Sequence, residues 1–247
     1  FTYLYFNSYN LMMVNILKTI SLLGIIPLFV FICIKWNEGE LIIKNENLMQ
    51  GLALWELSLS VIVLSNINAF FIVKILDYKE LALYSIIGMV MIVYDFAIEA
   101  LFSVYSQKYA EVKKPDSIQL IKVVILITSG LSIFYLVSTQ FILQILFAGK
   151  YNTSIILIGL FCINNSLNLL YVIPSCFFVG QGRKIELRKM MIINIISIIV
   201  RLSLIFIFAE YGLSGFLIAS IISQGIRVAG GYYISYKKLF EFIDKVA

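Results

Sequence analysis

Seven apolar runs of about twenty residues or a little more dominate the chain: about 11–34, 51–73, 81–104, 119–143, 154–178, 187–208 and 213–236. An α-helix rises 1.5 Å per residue, so each run is long enough to cross a hydrocarbon core of roughly 30 Å. Backbone N–H and C=O groups inside lipid must be bonded within the crossing structure, which leaves helices or a closed barrel. A barrel would read as short alternating strands, and these runs are longer and more uniformly apolar. The expected fold is an all-α integral membrane protein with seven transmembrane helices. Composition agrees, with 61% hydrophobic and 13% charged residues and a mean hydropathy of +0.97, where a soluble domain carries roughly 45–50% apolar and about 25% charged residues.

The loops orient these helices. Lys35, Lys44, Lys108, Lys113, Lys114, Lys122, Arg183, Lys184, Arg188, Lys189, Lys237, Lys238 and Lys245 all fall on one side. Only Lys74, Lys79 and Lys150 fall on the other, and Lys18, Arg201 and Arg227 lie within the runs. One miscounted span would exchange every later loop and destroy the asymmetry. Basic loops stay cytoplasmic, so the first run enters from outside and the C-terminus is cytoplasmic in a multi-pass protein of the cell membrane. A net charge of +5 carried by such loops signals orientation among membrane lipids and gives no reason to expect a nucleic-acid partner.

Few residues offer chemistry of their own. The chain has no histidine, the commonest general base and metal ligand, so neither an enzyme nor a metal site is expected, and no cofactor. Cys33, Cys162 and Cys176 lie in apolar runs without CxxC spacing and read as small packing residues. Gly180-Gln-Gly182 is a turn before a basic helix start; a phosphate-cradling loop would read GxxxxGK[ST]. Lys18 sits near the outer end of its run, where its stem can snorkel to the headgroups. Segments 141–150 and 237–247 read as amphipathic interfacial anchors. The chain opens at Phe1 without a charged n-region or a cleavage site, as expected of a fragment whose N-terminal part lies upstream.

The informative pattern is polar residues recurring at helical spacing inside the runs. Ser58, Ser65 and Asn68 share a face of the second, with Asn66 beside them. Asn164, Asn168, Tyr171 and Ser175 follow one another along the fifth, with Asn165 adjacent; Asn194, Ser197 and Arg201 do so on the sixth, and Ser220, Gln224 and Arg227 on the seventh. An Arg, Lys or Asp at mid-membrane costs about 2.5–3.5 kcal/mol and ordinarily faces the bundle interior or a wet cavity. Hydrogen bonding between helices is the plain reading of a single Asn or Ser. Four stripes together point to a shared water-filled cavity, and guanidinium suits bidentate recognition of phosphate or carboxylate. Asp95 and Glu99, one turn apart in the third run, read as ion-pair partners for Arg201 or Arg227, as a proton or cation coupling site, or as a helix end outside the core. Gly215, Ala219 and Ser223 form a small-xxx-small face suited to close helix packing.

Several stretches resemble the C-terminal half of polysaccharide and lipid-linked oligosaccharide flippases, of the multidrug/oligosaccharidyl-lipid/polysaccharide exporter superfamily. Leu146-Phe-Ala-Gly-Lys-Tyr151 is similar to that family's Leu-Phe-Gly-x-x-Tyr loop, and Gly180-Gln-Gly-Arg-Lys184 to its small basic cytoplasmic turn. The helix carrying Asn194 leads to Glu210-Tyr-Gly-Leu-Ser-Gly215, which resembles the Tyr-Gly-x-x-Gly outer turn, and Leu217-Ile-Ala-Ser220 continues it. Trp55 and Leu83-Tyr-Ser85 resemble the first two helices of the family's second half. The resemblance covers about 50–236 and, more loosely, 11–34.

Family members have two six-helix halves around a central cavity. The resemblance therefore implies that 1–35 ends a missing N-terminal bundle, 36–50 is a cytoplasmic linker, 51–236 is a six-helix bundle and 237–247 a cytoplasmic tail. It implies a polyprenyl-pyrophosphate-linked oligosaccharide moved to the outer leaflet by alternating access, with the missing bundle as an obligate partner. Arg201 and Arg227 are then candidates for the phosphates, and Asn164, Asn168, Asn194 and Gln224 for the rest of the substrate. A cation-coupled multidrug exporter of the same superfamily would instead use Asp95 and Glu99. A seven-helix receptor fits the count and orientation but lacks an extracellular cysteine pair.

Overall fold

The structure, a computed structural model, describes residues 45–110, 117–147, 151, 153–181 and 184–240. Seven α-helices follow in order: α1 Asn45–Ile75, α2 Tyr78–Val90, α3 Val93–Ala110, α4 Ser117–Phe147, α5 Ile155–Gln181, α6 Lys184–Phe208 and α7 Gly212–Phe240, with a 3₁₀ turn at Ala209–Tyr211 before α7. No strand occurs among the described residues. The chain divides into two compact units, Phe1–Leu48 and Met49–Ala247, and the helices lie in the second apart from the opening residues of α1. The first apolar run, with Lys18, Pro27 and Cys33, falls outside the described residues, as does the tail from residue 241.

Among the described residues three segments are long and apolar enough to cross a membrane, Gln119–Phe147, Ile155–Gly180 and Leu187–Ser235, and a fourth if α2 and α3 count as one span bent by 52°. The chain is thus an all-α membrane protein. The third segment runs for 49 residues, about 74 Å as a single rod, and it is divided by the 3₁₀ turn into α6 and α7. The apolar part of α1, Leu59–Ile75, is shorter than these three.

Side-chain pairings give the helix directions. Asn194 meets Arg227 and Arg201 meets Ser223, numbers rising on α6 as they fall on α7, so these two helices form an antiparallel hairpin. Asn164 meets Ser220 and Asn168 meets Gln224 at a constant offset, so α5 and α7 run parallel. In the same way α3 runs parallel to α5, through Met91 just before its start beside Asn165 and Leu101 beside Cys176, and α1 parallel to α6, through Ser60 with Asn194 and Leu64 with Arg201. Ser132 lies beside Cys162 and Gln140 beside Thr153, which sets α4 antiparallel to α5. Taking the bent α2–α3 pair as one rod, direction reverses at every connection from α3 onward, and α1 runs opposite to α7.

The connections have local causes. Asp77 caps α2, its carboxylate accepting from the Glu80 N–H at 2.7 Å. Gly212 starts α7 at φ +60°, a conformation that other residues adopt only at a cost. Gly215 packs so closely on the main-chain carbonyl of Phe208 that a Cβ would collide with it. Pro174 lies inside α5 and has no N–H for the Leu170 carbonyl one turn back. That carbonyl accepts instead from the Tyr232 hydroxyl of α7 at 3.4 Å, while the Ser175 hydroxyl binds the Tyr171 carbonyl at 2.8 Å.

The distribution of side chains is inverted relative to a soluble protein. Leu126, Ile133, Val137, Phe141, Ile145, Ile199, Phe206 and Ile207 are exposed, whereas Asn164, Asn194, Ser197, Arg201, Ser220, Ser223 and Arg227 are buried. An exterior this rich in large apolar side chains is the surface of a protein bathed in lipid.

Residues 45–50, read as the end of a linker, are helical, since α1 begins at Asn45. Two sequence expectations are corrected. Segment 141–150, read as a separate surface anchor, continues α4 without a break as far as Phe147; α4 has 31 residues, about 46 Å, and so outruns a 30 Å core. The single helix read over 81–104 is broken at Met91–Ile92, where Met91 N–H bonds to the Ile87 carbonyl and Tyr94 N–H to the Met91 carbonyl.

Candidate functional site

The polar stripes of α5 and α7 share one spacing, and the parallel packing turns it into a ladder. Asn164, Asn168 and Tyr171 stand opposite Ser220, Gln224 and Arg227. The Ser220 hydroxyl donates to Asn164 Oδ1 at 2.7 Å, and Gln224 Nε2 donates to Asn168 Oδ1 at 2.6 Å. On the third rung the Arg227 guanidinium carbon lies 3.7 Å from the centre of the Tyr171 ring, a cation–π contact that strengthens where water is excluded. Close approach at this end is possible because Gly231 packs on Pro174 and Tyr171.

Helix α6 ties the ladder to α1. Arg227 Nε donates to Asn194 Oδ1 at 2.9 Å, and Nη1 to Gln224 Oε1 at 3.4 Å. Asn194 Nδ2 donates in turn to Ser60 Oγ at 2.8 Å, and the Ser60 hydroxyl to the Leu57 carbonyl. Tyr171 also offers its hydroxyl to Asn194 Oδ1. Asn194 is therefore the junction of the network, completely buried and shared by four helices.

Arg201 is held differently. Its Nε donates to Ser223 Oγ at 2.8 Å and its Nη1 to the Leu64 carbonyl of α1 at 2.6 Å, while Nη2 has no partner. Two further buried oxygens without partners lie one helical turn away in sequence, Ser197 Oγ before it on α6 and Asn68 Oδ1 beyond Leu64 on α1. Neither arginine forms a salt bridge with a carboxylate among the described residues. Arg227 is held by a ring face and two acceptors; Arg201 keeps its buried Nη2 in reserve.

Most of the stripe residues expected from the sequence are thus brought together over α1, α5, α6 and α7, in two hydrogen-bonded groups: Asn168, Gln224, Arg227 and Asn194 in one, Asn164 and Arg201 in the other through Ser220 and Ser223. The stripes bond directly to one another where a shared water-filled cavity was expected, because their spacings match and leave the side chains within reach. Ser223 was expected only to ease packing, yet it is the acceptor for Arg201. Ser60 carries the α1 contact; the side chains of Ser58 and Ser65 lie outside the described set, and Asn66 is exposed and bonded to its own helix at the Ile62 carbonyl. Asp95 and Glu99 are both exposed on α3 and, among the described residues, form no salt bridge with either arginine. Asn165 turns away to the Met91 sulfur at the α2–α3 break, where Tyr94, Ser132 and Ser166 form a second hydroxyl chain. Cys162 and Cys176 are buried free thiols.

Compared with known proteins, the chain matches no protein-family model, no curated protein and no solved structure.

Proposed function

We propose that the chain is the C-terminal bundle of a flippase that moves polyprenyl-pyrophosphate-linked oligosaccharide across the cell membrane by alternating access. The supporting observation is the pair of buried guanidiniums, Arg201 and Arg227, in α6 and α7 without a carboxylate partner among the described residues. A cation there costs about 2.5–3.5 kcal/mol, and an acid on a neighbouring helix would offset that cost and cancel the charge together. Carbonyl, hydroxyl and amide oxygens fill that place instead, and they leave the net positive charge intact for an anion. The motif resemblance over about 50–236 supplies the substrate class, and the seven runs read from the sequence, taken as spans with the basic loops cytoplasmic, supply the orientation.

In this reading Arg201 makes the first contact with phosphate through Nη2, and Arg227 holds its position through Tyr171 and Asn194. Separation of α1 from α6 would release the Leu64 carbonyl and Ser60, freeing Arg201 Nη1 and Asn194 Nδ2 for ligand. Asn164, Asn168 and Gln224 would then exchange their mutual hydrogen bonds for substrate hydroxyls as the bundles rock. Substrate flipping by the full-length protein in proteoliposomes is expected to fail in Arg201→Ala and Arg227→Ala; unchanged transport in both would overturn the assignment.

One observation favours a second reading within the same superfamily. Asp95 and Glu99 stand on α3 directly after the 52° break, and broken helices frame coupling-ion sites in many transporters. A cation-coupled exporter would lose coupled efflux in Asp95→Asn, whereas the flippase reading leaves transport dependent on the arginines.

A further inference from the structure

Beyond the buried network, the connection between α4 and α5 holds a cleft of about 120 Å³ lined by Gln140, Gln144, Tyr151 and Thr153. Its lining among the described residues is polar and uncharged. Gln140 and Gln144 are one turn apart, so both side chains project from the same face of α4. Gln140 Nε2 donates to the Thr153 carbonyl at 3.1 Å, which holds the start of α5 against the end of α4 and leaves Oε1 free to accept. The Tyr151 ring is fixed edge-on against Phe147, centroids 5.6 Å apart. Thr153 Oγ1 is buried yet has no hydrogen-bond partner, and such a group stays unsatisfied only at a cost of about 1–3 kcal/mol.

We infer that this cleft is a binding site for the hydroxyl groups of a neutral sugar, with Gln140, Gln144 and Thr153 as the hydrogen-bonding groups and Tyr151 as the wall. Each glutamine amide presents a donor and an acceptor side by side, the arrangement that neighbouring sugar hydroxyls match. The volume is far above the roughly 10–15 Å³ that one water needs, and uncharged amide and hydroxyl groups, the described lining, suit neutral hydroxyls better than a phosphate or a metal ion. The loop containing Lys150 is on the sparsely charged, outer side in the orientation proposed above, the side to which the headgroup is delivered. The inference rests on the flippase reading for its sugar chemistry, since it gives the emerging headgroup a first resting place.

The test is saturation-transfer NMR on the full-length protein in phospholipid nanodiscs free of sugar detergents, with maltose and N-acetylglucosamine as probes. Saturation of the sugar ring protons is expected, with about three- to tenfold weaker binding in Gln144→Leu and in Thr153→Val, as the loss of one or two hydrogen bonds implies. Both variants should keep the wild-type melting temperature, because neither residue joins the buried network; Tyr151→Phe, which preserves the wall, serves as the conservative control. No transfer to either sugar, or equal transfer in all variants, overturns the inference. Displacement of maltose by a glucosyl lipid in the disc identifies the lipid-borne sugar as the occupant, and failure to displace it identifies the free sugar. A protein that binds sugar at Gln144 but flips nothing refutes the proposed function alone; one that flips and binds no sugar refutes the cleft alone.

Discussion

Replacing Arg227 separates the value of its shape from the value of its charge. The 3.7 Å contact with the Tyr171 ring is worth about 2 kcal/mol where water is excluded. The 2.9 Å hydrogen bond from Nε to Asn194 adds about 1.5–3 kcal/mol as a charged donor; the 3.4 Å contact with Gln224 is too long to add much. Against this gross gain of about 3.5–5 kcal/mol stands the mid-membrane cost of a cation, about 2.5–3.5 kcal/mol. Arg227→Met forfeits the contacts and the cost together, leaving a net loss of about 0–2.5 kcal/mol, and Asn194 Oδ1 keeps the Tyr171 hydroxyl as a partner. Arg227→Lys keeps the cost, and a single ammonium cannot lie flat on Tyr171 while bonding Asn194, so at least one contact goes without offset, about 1.5–3 kcal/mol. The chemically conservative change is thus expected to be the more damaging by about 1 kcal/mol. Unfolding by SDS in mixed micelles measures both variants side by side. Wild-type stability in Arg227→Lys together with a loss above about 3 kcal/mol in Arg227→Met would refute the reasoning, because it would show that the charge itself is paired.

Two further substitutions probe the framework around the site. Gly215→Ala places a methyl against the Phe208 carbonyl and is expected to destabilise by about 1–3 kcal/mol, the usual range for overpacking, with a correspondingly lower midpoint in thermal unfolding. Tyr232→Phe removes the donor that replaces the N–H missing at Pro174 and, because that bond is long at 3.4 Å, should cost no more than about 0.5 kcal/mol; in a Pro174→Ala background the restored N–H serves the Leu170 carbonyl, and the same change should be neutral. A double-mutant cycle showing additivity would rule out that compensation.

The helices were legible because apolar blocks of span length interrupted by basic loops permit few other arrangements. The last three spans read from the sequence, 154–178, 187–208 and 213–236, lie within α5, α6 and α7 to a few residues. The α5–α7 ladder was also written in the sequence, as two stripes of identical spacing, since parallel helices at a constant offset must set equal spacings side by side. What the sequence could not show were contacts made by groups without a pattern. The Leu64 carbonyl that receives Arg201 belongs to the main chain and leaves no mark in residue type. Ser223 lies in a row of small residues, so its hydroxyl was hidden behind its size. The break at Met91–Ile92 has neither proline nor glycine at it; its marks are tertiary, the Asn165 amide on Met91 and the Tyr94–Ser132–Ser166 chain. Asp95 and Glu99 were matched to the arginines by charge alone, whereas their phase on α3 turns them outward. A helical wheel for one span shows which residues share a face but not which neighbour that face meets.

The most direct test of an anion-handling role is native mass spectrometry of the full-length protein presented with equal amounts of polyprenyl pyrophosphate and uncharged polyprenol. The wild-type protein is expected to retain the pyrophosphate lipid in preference, and Arg201→Ala with Arg227→Ala should abolish that preference while leaving polyprenol adducts unchanged. Equal retention of the two lipids by the wild-type protein, or an undiminished preference in the double variant, would contradict it.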